Sequence, residues 1–155
     1  MSIPDPEDVE DMCAGRRPFA DLDWFATDSL GHVAAFATAG FAAVPLAVFR
    51  QRTSLTSLSA KIEALPLRSA VQPIDQSQGR NPLFAALVSR GLYLYDWSHG
   101  HGQYQANLPY RIMARPVSPA IASDLGLDGT MPHFHLRFAD SPEITVEEHF
   151  KEVNI

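Results

Sequence analysis

A chain of 155 residues, 46 per cent of them apolar, is long enough to bury a core unaided as one domain, which excludes wholesale disorder. Its one cysteine, Cys13, allows no internal disulfide and suits a reducing cytosol; the longest apolar run, roughly Phe41 to Phe49, falls far short of the ~20 residues a membrane span needs. The net charge of −6 is segregated, with net −6 over residues 1–30, +5 over 31–120 and −5 over 121–155, and such acidic ends disfavour a nucleic-acid partner.

The N-terminus, MSIPDPEDVEDM, carries acids where an export signal carries a basic and then an apolar region, so the expected location is cytoplasmic. Residues 1–20 read as an acidic arm with one short helical turn, Pro6 to Met12. Proline followed by acids suits the start of a helix, because both match the N-terminal end of the dipole. Next comes a hairpin. Trp24, Phe25 and Ala26 run into Asp28-Ser29-Leu30-Gly31, and His32 to Phe36 run out. The turn residues supply local side-chain hydrogen bonding and a positive φ.

Pro45 opens a predicted helix whose apolar positions Val48, Leu55, Leu58, Ile62 and Leu65 fall on one face, and Pro66 closes it. The hydroxyl-rich stretch Thr53–Ser59 is able to split it in two. Residues 67–80 read as a polar loop. Asn81-Pro82 caps a second helix that stops at Gly91. Leu92 to Trp97 reads as a strand, Ser98-His99-Gly100-His101-Gly102 as a turn, and Tyr104 to Met113 as the returning strand. Arg115-Pro116 to Pro119 is expected to leave the sheet. His133 to Phe138 alternates like a strand, with Phe134, Leu136 and Phe138 on one face, and Ile144 to Val146 is a last short strand. The expected class is α+β: an antiparallel sheet with one or two helices packed on one face.

Trp24 and Phe25 are sequence neighbours, so on a strand both are buried only if both faces of the sheet are covered. The spare aromatics, Tyr93, Tyr95, Tyr104 and Tyr110, are candidates for a groove or a partner surface, although the core is the commoner fate of any one of them.

No G-x-S-x-G and no P-loop is present, and Ser54, Ser57 and Ser59 sit where hydroxyls bond back to a helix or to water. The adjacent Glu147 and Glu148 would face opposite ways on a strand, so they make no acid–base pair. Histidine offers more. His99-Gly100-His101 and His133-Phe134-His135 are two HxH pairs, and with His149 they support an alternative reading as a small metal-dependent enzyme or metal-binding protein. Against it, full ligation needs three or four converging donors, and no sequence feature fixes the two pairs relative to each other.

The stretches DWFATDSLGHVAAFATAG and RGLYLYDWSHGHGQYQANLPYRIMARPVSP carry D-W-F, D-x-x-G-H-V-A-x-F-x-x-x-G, G-L-Y-x-Y-D-W and R-P-x-x-P. In these the chain resembles a loose group of small, uncharacterised bacterial single-domain proteins, similar in style to the immunity partners of bacterial toxins; the HGHG loop departs from the pattern. The resemblance implies no catalytic residue, no enzyme activity and no cofactor. It implies a protein-binding module that neutralises a cognate toxin domain. Glu7, Asp8, Glu10 and Asp11 of the arm, with Glu147 and Glu148 of the tail, are the expected steering charges, and Tyr93, Tyr95 or Trp97 the expected anchors. A third reading is a subunit of a homo-oligomer.

Overall fold

The computed structural model describes residues 23–37, 55–74, 82–96, 109–127 and 129–145. The acidic arm, the predicted helix before Leu55, Trp97, the HGHG loop, Tyr104 and the acidic tail with His149 lie outside the described residues. In chain order the elements are β1 (Asp23–Thr27), β2 (Val33–Ala37), α1 (Leu55–Glu63), β3 (Val71–Pro73), α2 (Pro82–Val88), β4 (Tyr93–Asp96), β5 (Tyr110–Pro116) and β6 (Glu143–Ile144). The strands form one sheet in the order β1-β2-β4-β5-β3, and β6 pairs with the other end of β5.

The class is α+β, but the sheet is mixed. β2 and β4 run parallel, with Ala34 opposite Tyr93 and Phe36 opposite Tyr95. This corrects the expectation of an antiparallel sheet. Only a long crossover can join parallel neighbours, and the connection from Ala37 to Tyr93 holds α1, β3 and α2.

The hairpin forms as the sequence predicts. Thr27 faces Val33 across a tight turn, Gly31 takes φ +80°, and its N–H donates to the Asp28 carbonyl at 3.0 Å. α1 buries Leu58 and Ile62 completely, with Leu65 packed against the same cluster. α2 ends at Val88, and Gly91 takes φ +96°. Arg90 ties the two helix ends together: its guanidinium donates to the carbonyls of Leu65 (3.0 Å), Glu63 (3.0 Å) and Ala86 (2.6 Å). Cations at exposed helix C-termini are stabilising in this way.

Three expectations change. The predicted loop 67–80 contains β3, an edge strand on β5, where Pro73 withdraws only one donor from the ladder. Arg115 and Pro116 stay in the sheet, opposite Gln72 and Val71. His133 to Phe138 does not form a strand: His133 makes a single parallel bridge to Thr27, and Phe138–Asp140 closes as a 3-10 turn. That segment bonds to the end of β1 and the turn after it, yet still delivers Phe134 and Phe138 to the interior, each at most 1 per cent exposed.

Both sheet faces are covered, so Trp24 and Phe25 are both buried. One face joins Phe25, Val33, Ala35, Leu94, Met113 and Ala114 to Leu58, Ile62 and Val88 in a single apolar cluster. The opposite face is aromatic. Trp24, Phe36 and Tyr95 lie on adjacent strands in register, and their rings stack at 4.1 Å and 5.0 Å between centroids, with interplanar angles of 10° and 12°. Tyr110 and Phe134 meet Trp24 edge-on, and its indole N–H donates to the Tyr110 hydroxyl at 3.1 Å. Each such ring pair contributes about 0.5–1.5 kcal/mol beyond simple burial.

Candidate functional site

Five strand ends meet at one end of the sheet. The β1–β2 turn, the start of β4, the end of β5 and the start of β3 all lie there, as the pairing directions require. The segment after β5 then crosses this end as a strap. Val117 N–H donates to the Ala70 carbonyl (3.0 Å), Ala120 N–H to that of Gly91 (3.0 Å) and Ala122 N–H to that of Gly31 (2.8 Å), so the strap bonds the backbone just before β3, the backbone just before β4 and the hairpin turn. Its close approach explains the glycine at 91. A β-carbon there would lie 2.7 Å from Ala120 Cβ and 2.9 Å from its nitrogen.

Four of the five large apolar side chains exposed among the described residues lie at this end: Leu30 (47 per cent exposed), Leu67 (70), Val117 (62) and Ile121 (39). Exposed apolar side chains that share one end of a fold are candidates for an interaction surface, so this end is the candidate surface. The sequence reading missed it. The available signal was Val117 and Ile121, two apolar residues in a proline-bounded segment with no periodicity to place them.

Polar groups lie just beneath. Asp28 is fully buried, and its carboxylate accepts the N–H groups of Leu30, His32 and Phe138, each at 2.9 Å. Arg115 reaches the Tyr93 side of the sheet because of an irregularity in β5. The register shifts between Leu94 and Tyr95, so Met113 and Ala114 both join the helix-side cluster and Arg115 turns to the other side, level with Tyr93. A bulge re-aims a side chain in this manner. Among the described residues, the buried His32 Nδ1 and Arg115 Nε make no hydrogen bond, and His32 Nδ1 stands 3.8 Å from Asp28 Oδ2.

Burial corrects the anchoring role expected of Tyr93 and Tyr95. Tyr93 is 4 per cent exposed and Tyr95 fully buried, so neither offers a ring to a partner. The Tyr95 hydroxyl lies 2.6 Å from the Ser141 carbonyl and 3.1 Å from that of Phe138. Desolvation pushes both phenols above the ordinary tyrosine range. The Asp28 charge adds to the rise in each and Arg115 opposes it, with Asp140 contributing further at Tyr93 and Tyr93 itself at Tyr95. Tyr110, another groove candidate, is buried on the same aromatic face. Trp97, Glu7, Asp8, Glu10, Asp11, Glu147 and Glu148 lie outside the described residues.

Of the histidines proposed as ligands, His133 and His135 are exposed with ring centres 5.8 Å apart, and no group of three or more metal-ligating side chains forms among the described residues. No helix among the described residues is long and apolar enough to cross a membrane. Compared with known proteins, the chain matches no family model, no curated protein and no solved structure.

Proposed function

We propose that this chain is a protein-binding module, an immunity-type protein that neutralises a bacterial toxin domain by occupying it directly. The observation that carries the reading is the gathering of Leu30, Leu67, Val117 and Ile121 at the strapped end of the sheet, which supplies the anchoring area that Tyr93 and Tyr95 do not. The acidic arm and tail are the steering element of the proposal: Glu7, Asp8, Glu10, Asp11, Glu147 and Glu148 would meet a basic cleft and speed encounter more than they tighten the complex.

Co-purification of the tagged protein with the product of the gene immediately upstream, read out by growth rescue, tests this. A complex that restores growth supports the reading. Absence of both a complex and rescue removes it. Reversing two or three of the arm acids is expected to slow association and flatten its salt dependence.

A further inference from the structure

His133 and His135 sit on a stretch of backbone that is pinned on both sides. Thr27 N–H donates to the Pro132 carbonyl (2.9 Å) and Phe134 N–H to that of Thr27 (2.9 Å), which brackets His133. Ser29 N–H donates to the Leu136 carbonyl (2.8 Å), which fixes the far side of His135. Between the histidines, Phe134 is buried edge-on against Trp24, so the core locks the residue that separates them. Both imidazoles are exposed, their centres 5.8 Å apart and their planes at 84°. Two imidazoles bound to one metal through nitrogens at about 2.0–2.1 Å have ring centres roughly 4.5–6 Å apart, so the pair already has the required spacing.

The His133 ring is also oriented. Its Nδ1 lies 2.9 Å from Thr27 Oγ1, a hydroxyl with the Pro132 carbonyl 3.4 Å away to take its own proton. With the Thr27 proton on that carbonyl, Oγ1 accepts from Nδ1–H and leaves the Nε2 lone pair free. This is how an outer hydrogen bond sets the tautomer of a metal-binding histidine.

We infer that His133 and His135 form a surface site for a divalent transition-metal cation of the imidazole-binding class (copper, nickel or zinc), with Thr27 as the positioning residue. The protein supplies two ligands and water the other positions, which makes the site weaker than a closed structural zinc site. Imidazole selects Cu²⁺, Ni²⁺ and Zn²⁺ over Mg²⁺ and Ca²⁺, and copper is expected to bind tightest.

The test is calorimetric titration of the untagged full chain with Cu²⁺ and Zn²⁺, in a background where His99, His101 and His149 are replaced by alanine. One binding event per chain is expected, weakened about tenfold or more by either His133→Ala or His135→Ala. Thr27→Val is expected to weaken it by about tenfold with both ligands retained. Nitrogen chemical shifts of His133 give the readout that a merely structural role would not move: Nδ1 protonated in the parent, the preference lost in Thr27→Val. No binding in the triple-alanine background, or binding unchanged by both His133→Ala and His135→Ala, overturns the inference.

Discussion

Asp28 and Phe138 are joined through the interior: the Phe138 N–H donates to Asp28 Oδ2 at 2.9 Å across 110 residues of sequence. The other carboxylate oxygen closes the hairpin turn on Leu30 and His32. One buried side chain therefore shapes a local turn and fastens the C-terminal segment, with Phe138 and the Tyr95 hydroxyl bond, onto the aromatic face. Asp28→Ala strands three amide donors and is expected to cost about 3 kcal/mol or more in denaturant unfolding. Asp28→Asn, which keeps one acceptor oxygen, is expected to cost less. Equal stability of Asp28→Ala and the parent would contradict the double role.

Gly91 and Gly126 separate two causes of glycine use. Both have positive φ, +96° and +70°, but only Gly91 lies under the strap; nothing stands within 4 Å of a β-carbon at 126. Gly91→Ala is expected to cost about 2–4 kcal/mol, combining backbone strain with a clash against Ala120. Gly126→Ala, with strain alone, is expected to cost about 1 kcal/mol. Thermal unfolding of the two variants checks the difference, and similar costs would show that the strap yields.

Tyr93 and Tyr95 predict an alkaline limit to stability. Their folded-state affinities for the proton are raised above the unfolded value of 10.0, so the native state holds protons that the unfolded chain releases. The associated stability is fully present below about pH 10 and is lost as pH rises above it. Tyrosinate absorbance for these two of the four tyrosines is expected to appear together with loss of near-ultraviolet circular dichroism. Their ionisation at ordinary tyrosine pH in an intact fold would refute the assignment. Tyr95→Phe, which leaves the Phe138 and Ser141 carbonyls without the hydroxyl, is expected to cost about 1–2 kcal/mol at neutral pH.

Leu67→Asp and Val117→Asp test the strapped end. Both side chains are more than half exposed, so each substitution is expected to change stability by no more than about 0.5 kcal/mol. Affinity for the proposed toxin partner is expected to fall at least tenfold, as at interface centres where a charge displaces an apolar anchor. Ile74→Asp, at the far end of β3, is the control that should leave binding unchanged. Equal binding by all three would move the interface elsewhere.

Local chemistry alone determined the hairpin, the ends of α2 and the buried face of α1. Asp-Ser-Leu-Gly specifies its own reversal, Pro82 and Gly91 bound a helix from either side, and Leu58 and Ile62 recur at helical spacing. The adjacency of Trp24 and Phe25 also stated the condition for burying both: a sheet covered on two faces. Whether that condition was met, and hence whether Tyr93 and Tyr95 would be core or surface, was decided only when β4 paired parallel to β2 and residues 134–138 closed over the aromatic side. The strap and the β5 bulge belong to the same category. Val117, Ile121 and Arg115 acquire their positions from hydrogen bonds to residues far away in sequence, and a pattern read over a few neighbouring residues holds no record of those partners.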